Sequence, residues 1–166
     1  MFSKEHKITQ KLFIISTYKR VSQIEVVLKN IAQNDNTPVQ LSILGPLASD
    51  KISAKKELEK IIADKKQQLS NLLGKEYQFG YFNNPEIGSL FIAGHLTPTF
   101  LTKVDDRELA SLPAGLSGIF RGLGINKEDI HRYVTELKND SYCLIIRGES
   151  SALKIIKPLL EFVKLS

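Results

Sequence analysis

The stretch that decides the fold runs from residue 122 to residue 133 and reads Gly-Leu-Gly-Ile-Asn-Lys-Glu-Asp-Ile-His-Arg-Tyr. Gly124 allows the left-handed backbone conformation that commonly ends a helix. Asn126 is a residue type that caps helix N-termini, and Ile125 and Ile130 are spaced as a hydrophobic staple across that cap. The pattern predicts that one helix ends near Gly124 and that an amphipathic helix begins after Asn126.

Four short apolar runs predict the strands of a sheet. They lie at Leu12 to Ile15, Val39 to Ile43, Ser89 to Gly94 and Tyr142 to Ile146. A continuous apolar run is typical of a strand that is buried on both faces, so we expect the first run to be a central strand. The run from Val39 alternates and predicts a half-buried strand.

A helix is predicted from Ser22 to Gln33 by an apolar stripe at helical spacing. Ser22 and Glu25 have the spacing of a capping box, and Val21 can form a hydrophobic staple with Val26. These signals together place the N-terminus of the helix at Ser22.

Two more helices frame the rest of the chain. A lysine-rich helix is predicted from about Ile52 to Leu73, where Gly74 ends it. A last amphipathic helix is predicted over Leu153 to Val163, and Pro158 should bend it or delay its start.

The order of elements predicts an α+β fold. Without the segment at about 49–89, the elements follow the split βαβ pattern of a ferredoxin-like sandwich. The prediction is therefore a single domain over residues 1–166, with a long helical insertion between strands 2 and 3 and an extra C-terminal helix. A small doubly wound sheet is the alternative.

Composition limits the classes of protein that the chain can belong to. The 166 residues are 42% hydrophobic, which is enough for one core. Cys143 is the single cysteine, so the chain cannot form an internal disulfide and a cytoplasmic location is expected. No run approaches the roughly 20 apolar residues of a membrane-spanning helix.

Several of these segments resemble a bacterial general stress family that combines a small ferredoxin-like domain with a glycine zipper. The likeness is carried by Val39 to Gly45, Phe91 to Leu96, Leu123 to Ile125 with Glu128 and Tyr133, and Cys143 to Gly148, and it is spread over about two thirds of the chain. In that family the segment that corresponds to Gly115 through Gly124 is rich in glycine and alanine and leads into a Gly-Ile-X-X-Glu helix start. The resemblance implies a stress-associated domain that acts without catalysis.

Two features depart from the family pattern. The segment from Ser49 to Ser89 has no counterpart, and the zipper is shortened, with a charged polar stretch from Thr97 to Glu108. A full zipper would imply membrane contact or self-association. The small residues that remain are Gly115, Gly118 and Gly122, in a predicted helix or turn over Leu112 to Leu123, and they would let a backbone approach closely.

Self-association or protein binding is the function that these features favour, with a homo-oligomer or a protein partner. An aromatic strand supplies a candidate interaction surface, and its residues are Tyr77, Phe79, Tyr81 and Phe82. Such an edge could pair with another strand, and the lysine-rich helix offers an amphipathic face. Both features could equally cover the domain's own core.

A second candidate function is electrostatic binding of nucleic acid or anionic lipid. Net charge is +5, and the candidate basic patch consists of Lys51, Lys55, Lys56, Lys60, Lys65 and Lys66. Lys55 and Lys60 each lie four residues before a carboxylate, and no aromatic residue interleaves with the lysines to stack a base. A solvated helix face is therefore the preferred interpretation.

Catalytic chemistry has weak support in the sequence. Cys143 lies within an apolar strand, where a buried thiol is ordinary, and the three histidines lack metal-site spacing. Asp105, Asp106 and Glu108 lack the spacing of a calcium loop. His95 is the one histidine placed for function, at a strand end after Gly94. We expect no enzyme activity, no catalytic residue, no metal and no cofactor.

Overall fold

The computed structural model describes residues 11–34, 38–47 and 55–164, apart from the side chains of Phe162 and Lys164. The helices are α1 (Val21–Ala32), α2 (Lys55–Leu73), α3 (Thr97–Leu101), α4 (Gly115–Gly122), α5 (Lys127–Lys138) and α6 (Ser150–Lys164). The strands are β1 (Lys11–Tyr18), β2 (Val39–Pro46), β3 (Phe79–Asn84), β4 (Gly88–Gly94), β5 (Lys103–Val104), β6 (Arg107–Glu108) and β7 (Tyr142–Glu149). All four predicted strands and the predicted helices α1, α2, α5 and α6 are present.

Five strands form one antiparallel sheet in the order β1-β7-β2-β4-β3, and β5 and β6 form a separate hairpin. Strand β7 is antiparallel to both β1 and β2, so β1 and β2 are parallel to each other. In the same way, β2 separates the parallel strands β4 and β7. The sheet thus contains two split βαβ connections.

Helices cover both faces of this sheet. Helices α1, α2 and α6 pack on one face, which we call the α2 face, against strand residues such as Ile43, Phe91 and Leu144. Helices α3, α4 and α5 pack on the opposite α5 face, against residues such as Leu44 and Ile145. The molecule is therefore a three-layer α+β structure, and the ferredoxin-like arrangement predicted from the sequence is not confirmed.

The two connections between parallel strands lie on opposite faces of the sheet, which determines their handedness. The β1-to-β2 connection passes over the α2 face, and the β4-to-β7 connection passes over the α5 face. Strands β1 and β2 run in one direction, and strands β4 and β7 run in the opposite direction. The two connections also cross the sheet in opposite directions. Because both directions are reversed, two right-handed crossovers would lie on the same face of the sheet. One of the two is therefore left-handed, which is rare among parallel βαβ connections.

Strand β1 corrects the prediction that Leu12 to Ile15 form a central strand. It lies at the end of the described sheet, and Leu12 is 42% exposed. Its run is apolar because helices cover both faces here, with Ile14 facing the α2 side and Phe13 and Ile15 facing the α5 side. The central strands are β7, β2 and β4. In β2 the predicted alternation holds at Gln40, which is exposed, but Ser42 on the same face is 1% exposed, so the second half of the strand is buried on both faces.

Helix α1 begins one residue earlier than predicted. Arg20 is the N-cap, and the side-chain oxygen of Gln23 accepts from the backbone N–H groups of Lys19 and Arg20, both at 3.1 Å. The predicted staple is also wrong, because Val21 is buried while Val26 is 47% exposed. The earlier start puts Gln23, rather than Glu25, at the third helical position.

The stretch after β4 was predicted as a polar segment, but it contains structure. Pro98 lies at the start of α3, and Thr102 Oγ1 donates to the Pro98 carbonyl at 2.8 Å near the end of that helix. Farther on, the Asn126 side chain caps α5 by accepting from Asp129 N–H at 2.8 Å, as predicted. Pro158 lies inside α6 and does not delay the start of that helix.

We expect the stability of the fold to fall at high pH because of Tyr18. Its hydroxyl donates to the Leu160 carbonyl at 2.9 Å, and burial raises the pKa of Tyr18 to about 12. An unfolded tyrosine ionises near pH 10, so the stabilisation is complete below about pH 10 and is lost towards about pH 12. Urea unfolding across this pH range should show the loss, and Tyr18→Phe should make it less steep. An equally steep fall in the variant would contradict this assignment.

Candidate functional site: the free edge of strand β3

Strand β3 forms one end of the sheet and pairs with β4. Gly94 N–H donates to the Gln78 carbonyl at 2.9 Å, which sets the hydrogen-bond alternation along this pair of strands. The backbone N–H and C=O groups of the even-numbered residues from 78 to 84 therefore form hydrogen bonds with β4. Those of the odd-numbered residues point away from β4, towards the outer side of the sheet. No other strand in the described ranges pairs with this side of β3. The outward groups belong to Phe79, Tyr81 and Asn83.

A groove of about 370 Å³ runs along this edge. We call it the edge groove, and its lining residues are Ile62, Lys66, Phe79, Gly80, Tyr81, Leu101, Lys103 and Glu108. One wall comes from α2, the floor from β3, and the other wall from α3 and the hairpin. The free edge thus lies between two walls on opposite faces of the sheet.

The α2 wall is held in place by contacts between the helix and two aromatic residues, Phe79 in β3 and Tyr77 just before it. Lys66 Nζ lies 5.4 Å from the centre of the Phe79 ring, and Tyr77 donates its hydroxyl to the Lys66 carbonyl at 2.6 Å. Phe79 stacks in turn on Phe91, with ring centroids 5.9 Å apart. Burial also raises the pKa of Tyr77. The lysine at the groove is therefore anchored at its backbone and along its side chain.

The hairpin wall depends on a close packing contact and a tight turn. A Cβ atom on Gly80 would lie 2.1 Å from Leu101 Cδ1, so the missing side chain of Gly80 makes room for Leu101. The two-residue turn of the hairpin consists of Asp105 and Asp106, with φ of 52° and 64°. These carboxylates, whose spacing in the sequence does not fit a calcium loop, form the turn of the hairpin.

Asn84 ties the end of β3 to the segment that carries the hairpin wall. Its side-chain amide donates to the Ala110 carbonyl at 2.8 Å, and its oxygen accepts from the N–H groups of Glu86 and Ile87. The residue is 3% exposed. One buried side chain thus closes the β3–β4 turn and fixes the 3-10 turn at Leu109–Ser111.

We expect Asn84→Ala to lower the free energy of unfolding by about 1–3 kcal/mol, because it leaves the buried Ala110 carbonyl without this donor. Asn83→Ala, at an exposed neighbour on the same strand, should change it by less than about 0.5 kcal/mol. Urea denaturation of both variants measures the difference. Equal effects at the two positions would contradict the structural role of Asn84.

The structure separates the four aromatic residues that the sequence grouped together. Tyr81 is 43% exposed and lies in the groove, and Tyr77 and Phe79 are half-buried against the core of the α2 face. Phe82 is 2% exposed and stacks on Phe100 on the other face. The groove residues that the sequence missed are Ile62, Leu101, Lys103 and Glu108. They are distant in the chain from β3, so no local pattern connects them to it.

The small-residue segment forms α4, and its three glycines have different surroundings. A Cβ on Gly115 would lie 1.9 Å from the Leu109 carbonyl oxygen, whereas one on Gly118 or Gly122 would meet nothing within 4 Å. Close backbone approach therefore occurs at Gly115 and within the chain itself. Gly118 and Gly122 face open space.

We expect Gly115→Ala to lower the free energy of unfolding by roughly 1–3 kcal/mol because of overpacking. Gly118→Ala should raise it by about 0.5–1 kcal/mol, since alanine favours a helix interior and the site is open. Thermal and urea denaturation distinguish the two effects. A destabilising Gly118→Ala would show that a neighbouring group already occupies this space.

The lysines of the candidate basic patch differ in their exposure. Lys51 lies outside the described residues. Lys55, Lys56, Lys60 and Lys66 are exposed. Lys65 is half-buried, with Nζ 5.5 Å from the Phe91 ring centre, and it donates to the Tyr142 hydroxyl at 3.4 Å.

His95 lines a second cleft, of about 350 Å³, at the end of the sheet beside Glu76 and the C-terminal end of α2. Burial and the positive charge of Arg147 lower the pKa of His95. Cys143 is fully buried in β7. Within the part of the chain that the structure describes, no group of three or more His, Cys, Asp and Glu side chains is placed to hold a metal ion.

Comparison with protein families, curated proteins and solved structures finds no match to this chain. The resemblance to the general stress family therefore stays a prediction. None of the helices in the described ranges is both long enough and apolar enough to cross a membrane.

Proposed function

We propose that this chain binds an extended polypeptide segment, which adds to the sheet as a sixth strand beside β3. The observation that carries the proposal is the row of outward backbone groups of β3 on the floor of the edge groove. Strand addition at such an edge is a common mode of peptide recognition. The chain would act by binding, without catalysing a reaction, in the stress-associated role that the resemblance implies.

The shape of the groove favours a single segment over a second copy of the sheet. Walls from α2 and from the hairpin flank the edge on both faces. If a second copy paired through its own β3, its α2 and hairpin walls would be brought against the α2 and hairpin walls of the first copy. A lone extended strand, about 4.8 Å from β3, requires no such approach.

Backbone hydrogen bonds alone would not give a stable complex. Each contributes about 0.5–1.5 kcal/mol, and ordering one residue of a flexible segment costs about 1–2 kcal/mol. The burial of apolar side chains must supply the rest of the free energy needed to offset the cost of ordering the segment. The groove offers apolar surface for this purpose from Ile62, Leu101 and the exposed ring of Tyr81.

We expect Tyr81→Pro to abolish binding of extended peptides, because proline removes an outward N–H at the centre of the edge. The fold should persist, since proline is tolerated on edge strands. Tyr81→Thr is the matched control, which loses the ring but keeps the N–H. The probe is a displayed library of random nine-residue peptides, selected on the wild-type chain and then tested on both variants by fluorescence anisotropy.

The proposal requires peptides that bind the wild-type chain, bind Tyr81→Thr more weakly, and fail to bind Tyr81→Pro. Hydrogen exchange should slow at the amides of Phe79, Tyr81 and Asn83 when such a peptide is added. Peptides that bind Tyr81→Pro as well as Tyr81→Thr would reject strand addition, as would an empty selection. Dimerisation that Tyr81→Pro prevents, measured by sedimentation over the micromolar range, would show that the occupant is a second copy.

Electrostatic binding of nucleic acid or anionic lipid is the second candidate, favoured by the exposure of Lys55, Lys56 and Lys60. It requires affinity that falls steeply with salt. Replacement of the four exposed lysines of α2 by glutamine should then remove binding to single-stranded oligonucleotides or to phosphatidylserine vesicles. Binding that survives the replacement would reject this candidate.

A further inference from the structure

We infer that the segment bound at β3 carries an aspartate or glutamate on the side that faces α2, opposite Phe79, where Lys66 would pair with it. This inference rests on the proposed function and names the chemistry of its ligand. It is carried by the unequal charge of the two groove walls and by the side-chain alternation of β3.

The alternation determines which groups each position of an added strand would meet. Phe79 packs against the core of the α2 face, so Tyr81, two residues farther on, has its side chain on the same face. Residues directly opposite each other on neighbouring strands place their side chains on the same face of the sheet. The positions opposite Phe79 and Tyr81 therefore face α2, and the position between them faces Leu101 and the hairpin.

Charges are balanced on the hairpin wall and unbalanced on the α2 wall. Lys103 and Glu108 are direct cross-strand partners in the hairpin, so their opposite charges offset each other. Lys66 takes part in none of the ion pairs formed among the described residues. The α2 wall thus presents one lysine without a carboxylate partner.

Position and anchoring make Lys66 a suitable partner for a carboxylate. Its ammonium group lies above the Phe79 ring, and its backbone carbonyl accepts from Tyr77. A carboxylate opposite Phe79 would approach an ammonium that is already positioned. An aromatic or branched apolar residue two positions away would cover the exposed ring of Tyr81, and an apolar residue between them would contact Leu101.

The experiment uses peptides selected on the wild-type chain, and it compares each glutamate peptide with its glutamine counterpart. On the wild-type chain the glutamate peptide should bind about threefold to fivefold more tightly, the range expected for one partly exposed ion pair. Lys66→Gln should remove this preference, and Lys66→Glu should select a lysine peptide instead. Lys60→Gln makes the same charge change on another face of α2 and should keep the preference.

The outcomes distinguish this inference from the proposal on which it rests. Peptides that fail to bind Tyr81→Pro but show no preference for glutamate would overturn the inference and leave strand addition standing. Loss of the preference in Lys103→Gln, with retention in Lys66→Gln, would also overturn it, because the acid would then face the hairpin. Peptide binding that Tyr81→Pro leaves intact would overturn strand addition itself.

Discussion

The structure depends on the insertion of β7 between β1 and β2. Eight residues of β7 pair with β1 and six pair with β2. Its side chains alternate between the two cores, with Leu144 and Ile146 facing α2 and Cys143 and Ile145 facing α5. Strands β1 and β2, close in sequence, are held together through a strand about 100 residues later in the chain. Both cores therefore require this long-range pairing.

The central position of β7 also explains which of the described strands lie at the ends of the sheet. With β7, β2 and β4 in the middle, β1 and β3 are left at the ends of the sheet. Exposed sheet edges favour unwanted pairing with other chains, and proteins limit it by covering or charging them. At β3, the α2 and hairpin walls narrow access to the edge without closing it. The same arrangement that hinders pairing of whole sheets leaves room for one extended segment.

Local signals allowed reliable prediction of single elements. Gly124 and Asn126 predicted the boundary before α5, because a glycine with positive φ and a capping side chain act within a few residues. The cap of α1 was predicted two residues too late, at Ser22 instead of Arg20, because Ser22 is a typical capping residue, whereas the observed cap depends on Gln23 at the third helical position. Leu12 to Ile15 were assigned to the wrong place in the sheet, because a strand covered by helices on both faces is apolar whether it is central or at the edge.

Most strands and helices could be predicted from local sequence, since periodicity, glycine and capping residues act over a few residues, but α3 and the β5–β6 hairpin were not predicted. The sequence also identified the aromatic character of β3, on which the edge groove depends. Three features become apparent only in the folded chain: the strand order, the covering of both sheet faces, and the meeting of Ile62, Lys66, Leu101 and Glu108 around β3. These depend on contacts between residues far apart in the chain, and such contacts leave no mark in any short stretch of sequence.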